Sequence, residues 1–452
     1  MASLDNAGAA IATVNKGSEL AVKYTPKIAK NALTGIKHAG EWGVNAVMDN
    51  RAARWFSNKT TDFINRVSTG KALSFNANPF KAGDSGIKNL GDLADDGISQ
   101  LMIILMGFLF FIIAFWCFNK IYLNYKNCKS ISKIYPNQPF ITNINPENPA
   151  FQYNLRDYYI KTAYNCCASG NYKNDYVNIC ALKMCINQGV RCLDFEIYSV
   201  NDIPVIASSS VSDFNVKESY NSVPFAQALD TISIYAFSGG SCPNPKDPLI
   251  LNLRIMSSSK AIHDKIASAL YNTIGDRLLG KQYSYENNGL NIASMSLESL
   301  MGKVLIIVDK VNPIFTDSTL NEYVNLASNA VFMRSLRYRD VQFCPDMEEL
   351  KFYNKQNMSI VLPDLSAKNA NYSSSLAMTY GCQMIAMSFQ NYDTNMEYYT
   401  KYFDDNGSAF VLRPELLRYK PVYIEIPDAA DPGLSYGIRK QKMKGSPIEI
   451  SF

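Results

Sequence analysis

Between Val190 and Tyr198 the chain reads VRCLDFEIY. Alternation along an extended strand sets Cys192, Asp194 and Glu196 on one face and Leu193, Phe195 and Ile197 on the other. Two carboxylates on one face of an apolar strand call for a cation, because an unpaired charge taken out of water is heavily penalised. A metal, an arginine or a lysine would serve, and on these residues alone a metal site and an internal salt bridge are both open. A turn at Asn201 and Asp202 leads into a second strand, Pro204 to Ala207, followed by Ser208, Ser209 and Ser210. Imidazole is the usual proton carrier near neutral pH, yet His38 and His263 are the only histidines.

The elements that position this strand alternate in type. Apolar strand sequences recur in NLRDYYIKTAYN from Asn154, DPLILNLRI from Asp247 and MGKVLIIVDK from Met301. Helical spacing occupies Asp175 to Asn187, closing on Gly189, then Pro224 to Phe237, Lys260 to Ile274 and Asp393 to Phe403. Strands separated by helices imply a parallel sheet, and the length of 452 residues leaves room for a barrel plus further material.

In their order these segments resemble the catalytic half of phosphoinositide-specific phospholipase C. RCLDFEIYSVND and IPVIASSSV are similar to two adjoining strands of that family, NLRDYYIKTAYN to its first strand, and DPLILNLRI and MGKVLIIVDK to later strands of its first half. The second half returns between Tyr380 and Arg418, with GCQ, a following FQ and an ending VLRPELLR. The resemblance implies an α/β fold, a TIM-type (β/α) barrel, over residues 150–420, with an X-like half at 150–311 and a Y-like half at 350–420.

It also implies what a working site requires. Family members use two histidines as base and acid and a calcium ion held by an asparagine and acidic residues. By resemblance the histidine positions fall on Tyr164 and Ser208, poor proton carriers at neutral pH unless strongly perturbed. Asn165, Asp194 and Glu196 match calcium-liganding positions, whereas the remaining acidic ligand falls on Arg254. That charge reversal leads us to expect a degraded calcium site in which Arg254 stands in the metal's space. Of two substrate-phosphate lysines the chain has Val308 and Lys310, and Arg418 matches an arginine that closes the second half. Lys310 and Arg418 are the candidate headgroup contacts, with a surface lysine and a barrel salt bridge as the plainer reading. His263, inside AIHDKIASAL, belongs to the outer helical ring.

The rest of the chain bears on location. Residues 1–97 hold alanine-rich amphipathic stretches and then a linker, with packing on a protein partner or a membrane surface both open. LMIILMGFLFFIIAFWCF, from Leu101, carries no charge and is taken as a transmembrane helix over 98–123. Lys120, Lys126, Lys129 and Lys133 outnumber the lysines before it, which places the barrel on the cytosolic side, or in a virion membrane if the source is a large DNA virus, as the composition suggests. A linker over 124–149 and a tail over 421–452 complete the chain. The ten cysteines, mostly in apolar segments, read as buried thiols in a reducing compartment. A net charge of +4 without basic runs or zinc spacing excludes a nucleic-acid protein.

Three functions follow. The first is a membrane-anchored phospholipase C-like pseudoenzyme that binds membrane lipid, phosphoinositide headgroups included, or acts as a scaffold, with no cofactor. The second is an active phosphoric diester hydrolase using calcium. The third is a structural membrane protein.

Overall fold

Strands rich in Val, Ile and Leu and buried on both faces need cover on each side, which a barrel inside a ring of helices supplies. In the computed structural model, which describes residues 90–135, 139–285, 291–421 and 437–452, eight strands run parallel, most of them of this kind. They are β1 (Tyr158–Ala163), β2 (Cys192–Val200), β5 (Leu249–Ile255), β6 (Val304–Asp309), β7 (Leu326–Ser328), β8 (Met333–Arg337), β9 (Met358–Leu362) and β10 (Met384–Met387). Their order β7-β6-β5-β2-β1-β10-β9-β8 makes a nearly closed barrel, with β7 and β8 at its seam. Residues 312–349, expected as a join between two halves, thus contain two barrel strands, β7 and β8. Their brevity and mixed polarity hid them from periodicity.

Short antiparallel additions complete the sheet. β3 (Ile203–Ile206) returns along β2 through Asn201 and Asp202, both in the left-handed region with φ of 52° and 59°, as a tight hairpin turn requires. β4 (Val223–Pro224) pairs with β3. β11 (Phe410–Leu412) runs against β1, with Tyr158 opposite Leu412, and so descends to the end where β1 begins. A hairpin of β12 (Lys440–Lys442) and β13 (Glu449–Ser451) lies in the tail.

The helices follow α1 (Leu90–Ile134) in chain order: α2 (Ile179–Asn187), α3 (Phe225–Tyr235), α4 (Lys260–Ile274), α5 (Tyr338–Gln342), α6 (Met347–Gln356), α7 (Ser374–Thr379) and α8 (Thr394–Asp405). Caps set several starts: the side chains of Asn178 and Asp393 accept from backbone amides in the first turns of α2 and α8. Past the end of α2, Gly189 at φ +70° turns the chain into β2, and a Cβ there would press on Pro243 and Ile141. His263 is buried on α4, its Nδ1 3.0 Å from the Ser259 carbonyl.

The chain divides into two units, residues 1–114 and 115–452, the second containing the barrel. α1 exceeds the expected 98–123 at both ends, taking in part of each flanking linker. Among the described residues it is the one helix long and apolar enough to cross a membrane, and Phe108, Phe111, Phe115 and Trp116 are exposed along it. The amphipathic stretches expected before it, with His38, lie outside the described residues. The all-thiol reading of the cysteines is corrected: because α1 continues along the start of α2, Cys128 and Cys180 meet and form a disulfide. Cys166, Cys167, Cys185, Cys192, Cys242 and Cys382 are buried thiols, as expected.

One buried charge works against the fold. Thr162 pairs in register with Cys192 on the inner face, so Lys161 points outward, where it is fully buried 3.8 Å from Asp404 of α8 with no hydrogen bond to its amine. Burial lowers its pKa from 10.5 to about 8, Asp404 only partly opposing. A lysine depressed in the folded state contributes fully above its unfolded pKa, and that contribution is lost as pH falls through about 8. Lys161→Met should therefore raise stability at pH 7 by about 1–3 kcal/mol. The gain should shrink toward pH 10, and chemical denaturation at the two pH values measures it.

Candidate active site

The inner face of β2 meets the inner face of β5 in a register that places Asp194 beside Asn252 and Glu196 beside Arg254. Arg254 donates from Nε to Asp194 Oδ1 and from Nη2 to Asp194 Oδ2, both at 2.9 Å, a bidentate fork. Nη2 also reaches Asn165 Oδ1 at 2.9 Å, and Nη1 lies 3.7 Å from Glu196 Oε1. Asn252 donates to Asp194 Oδ1 at 2.7 Å, and the Asn165 amide to Oδ2 at 3.0 Å. Glu196 accepts from the Tyr198 hydroxyl at 2.9 Å and from Asn165 Nδ2 at 3.3 Å. The ring of Tyr164 lies 4.8 Å from the guanidinium. Asn165 takes φ of 44°, a left-handed conformation asparagine tolerates, and this aims its amide and its side chain at the same two carboxylates.

The electrostatics follow from burial. Asp194, Glu196 and Asn165 are almost fully enclosed, and Arg254 is 6% exposed. Burial opposes the Arg254 charge, but Asp194, Tyr164 and Glu196 outweigh it and hold the guanidinium well above its ordinary pKa. Burial also raises the pKa of Glu196, with Arg254, Tyr198 and Asn165 pulling it back. One cation thus serves two acids, with Asp194 taking the fork and Glu196 the weaker share.

This donor set does not fit calcium. The ion takes six to eight oxygen ligands at ~2.3–2.6 Å. Here both Asp194 oxygens and Asn165 Oδ1 already accept from N–H donors, and a guanidinium fills the space between them. Among the described residues, no cluster of three or more histidine, cysteine or acidic side chains could hold a metal.

A strap from the loop after β1 fills the remaining space. Tyr172 packs edge-on against Tyr164 with ring centroids 5.3 Å apart, and its hydroxyl pairs with Ser388 Oγ and accepts from Gln390 Nε2 at 3.3 Å. Its amide donates to the Ala367 carbonyl at 3.1 Å, beyond β9, so the loop after β1 reaches past β10 to the segment that follows β9. Ser208 is buried, and its Oγ donates to the Tyr172 carbonyl at 3.0 Å. Lys173 pairs with Glu218 at 2.6 Å across the rim.

The structure brings Tyr164, Asn165, Asp194, Glu196 and Arg254 together and holds Ser208 under the strap, but it separates the two candidate headgroup contacts. Lys310 follows β6 at the mouth end, exposed, with its amine 3.2 Å from the Tyr285 hydroxyl. Val308 pairs in register with Leu253 and so faces away from the barrel interior. Arg418 lies beyond β11 at the opposite end of the barrel, over the ring of Tyr153 at 4.7 Å, so it is not a contact of this site. The resemblance placed it by its motif, and the antiparallel descent of β11 could not be read from the sequence. Tyr198 could have been found by extending the period-two face of β2 by one step, whereas nothing in the sequence marks Tyr172.

Two family descriptions match the chain: the X domain of phosphatidylinositol-specific phospholipase C over residues 151–310 and its Y domain over 315–416. Together they cover more than half of the 452 residues. PLC21 of S. officinalis is similar in structure, with a TM-score of 0.50 and 18% identity over 63% of this chain and 40% of that one. PLC21 of L. pealei has a TM-score of 0.49 and 18% identity over 60% and 38%. A phosphatidylinositol-specific phospholipase C of Listeria monocytogenes has 0.40 and 13% over 58% and 97%. This chain therefore spans about two fifths of the length of the two PLC21 proteins, and at these identities the likeness is one of fold.

Removing Arg254 would leave two buried acids without their cation. Arg254→Ala should cost about 3–5 kcal/mol in chemical denaturation. Arg254→Glu should be comparably destabilised without calcium and regain stability when calcium is added. A calcium-independent Arg254→Glu stability equal to wild type would show that the ion pair does not set the fold.

Proposed function

Because the chain belongs to the phosphatidylinositol-specific phospholipase C family, we propose that it is a membrane-anchored member that has given up turnover and acts as a binding or scaffolding protein at the membrane. The observation that carries this reading is the Arg254 fork on Asp194, roofed by the Tyr172 strap. A family reaction would need a base, an acid and stabilisation of charge growing on phosphate. In this site the cation is neutralised by its own carboxylates, and the two groups at the family's histidine positions are spoken for. Tyr164 lies against the guanidinium and packs edge-on against Tyr172, while Ser208 donates to a strap carbonyl. His263 does not bear on the reaction, because it is buried in the helical ring with its ring nitrogen on a backbone carbonyl.

The membrane assignment is supported by α1, whose uncharged apolar run from Leu101 to Phe118 approaches the roughly 20 residues that a bilayer core requires. Trp116, Tyr122 and Tyr125 lie exposed toward the end of that apolar stretch, as residues at a membrane–water boundary do. Phosphoinositide headgroup binding has less support than scaffolding, since Arg418 lies away from the mouth and the mouth is filled.

Full-length protein reconstituted in phosphatidylinositol vesicles should release no inositol phosphate above a protein-free control, with or without calcium. Release that scales with protein would establish the active phosphodiesterase instead. Co-sedimentation with phosphoinositide vesicles, equal to that with phosphatidylcholine vesicles, is the scaffold outcome. A preference for phosphoinositide that Lys310→Ala abolishes would assign headgroup binding.

The anchoring is tested separately. After alkaline carbonate extraction of membranes the chain should remain in the pellet, and its release would show that α1 does not span the bilayer.

A further inference from the structure

α1 does more than lead into the barrel. From Phe115 onward it belongs to the barrel's unit, and one stripe of its surface, at positions 120, 124, 127, 128 and 131, faces that unit at helical spacing. Lys120 donates to the Tyr220 hydroxyl at 2.6 Å, Asn124 Oδ1 accepts from Asn178 Nδ2 at 3.2 Å, and Ile131 is buried in the core. Asn127 Nδ2 donates to Asp175 Oδ1 at 2.7 Å, and next to it Cys128 is bonded to Cys180 in the first turn of α2.

One of these contacts, from Asn127 to Asp175, falls on the root of the strap, and the disulfide joins the next residue of α1 to Cys180, shortly after it. Asp175 Oδ2 accepts from the Asn171 amide at 2.9 Å, Oδ1 accepts from the Tyr176 amide at 2.9 Å, and the Asp175 carbonyl accepts from the Tyr220 amide at 2.8 Å. Asp175 thereby closes the base of the loop whose tip, Tyr172, fills the mouth. Gly170 opens that loop in a space too tight for any side chain: a Cβ there would collide with Asp175 and come within 2.8 Å of Asn127 Nδ2. Helix, Asp175 and strap are one interlocked contact, and the disulfide is its covalent part.

We propose that Cys128–Cys180 is a redox latch that clamps α1 to the base of the 170–176 strap and so keeps the barrel mouth filled. Closing it removes two electrons and two protons from the two thiols. They pass to a disulfide oxidant by thiol–disulfide exchange, and the oxidant leaves as a dithiol. A dithiol reductant reverses the step. Stable disulfides belong to oxidising surroundings, so the latch assigns the barrel to the non-cytosolic side of its membrane or to the exterior of a particle, against the lysine count after the span. The lysine bias has a local explanation for Lys120, which is committed to Tyr220 and its ring. The remaining barrel cysteines are mostly buried, which leaves this pair as the site of exchange.

The test uses the full chain. Intact expressing cells are quenched with N-ethylmaleimide, then the protein is denatured, alkylated and digested. A linked peptide containing Cys128 and Cys180 is expected, with the other cysteines labelled, whereas labelling of both before reduction would overturn the proposal. Hydrogen exchange of membrane-embedded protein then reads the strap. After dithiothreitol, amides of residues 170–176 should exchange at least tenfold faster while those of β1 and β2 are unchanged. Gly170→Ala, which keeps both cysteines, should loosen the same residues. No change at the strap on reduction, or equal acceleration across the whole barrel, would show that the disulfide is only a staple of the fold.

Discussion

The barrel mouth depends on the ion pair between Arg254 and Asp194. Two acids on the inner face of one strand cannot stay buried and charged without a cation, and the strand beside them supplies it through register alone. Buried pairs of this kind add little net stability against an apolar replacement, yet breaking one is costly. Their influence is therefore mostly on what else can occupy the space. With the guanidinium in place, Asn165, Asn252, Tyr164 and Tyr198 all orient toward it or its partners.

The strap is compatible with that centre because its carboxylates are already paired and hydrogen-bonded. A tyrosine tip packed over an unpaired carboxylate would be penalised by desolvation, whereas over a satisfied fork it meets mostly apolar and hydrogen-bonded surface. Its own hydroxyl is satisfied by Ser388 and Gln390, so burying Tyr172 strands no polar atom. The interior and the rim thus close in sequence: cation onto acids, rings onto cation, strap onto rings. The helix that runs from the apolar span holds the last of these layers at its base.

Much of the fold was legible. The apolar strands, the helices between them and the family motifs placed the barrel, and α4 begins and ends where the sequence put it. The need for a cation beside Asp194 and Glu196 was readable from alternation, and the resemblance pointed to Arg254. What could not be read were features set by three-dimensional return paths. β7 and β8 are too short and mixed to show a period. Arg418 goes to the far end because β11 runs backward along β1. Tyr172 reaches the mouth only because its loop bridges to residues almost 200 positions later. The disulfide was hidden for a similar reason, since its cysteines meet only once α1 is known to extend past the apolar run.

The cation at the centre of the mouth is part of the polypeptide. A dissociable ion obeys mass action, so its occupancy rises and falls with its free concentration, and any structure resting on it inherits that dependence. A guanidinium joined to the backbone has no free concentration, and it keeps its proton across the physiological pH range. The occupancy of this position is fixed when the chain folds. A pulse of divalent ions would meet a guanidinium where a dissociable ion could otherwise sit, so the charge held at this position does not follow ionic concentration.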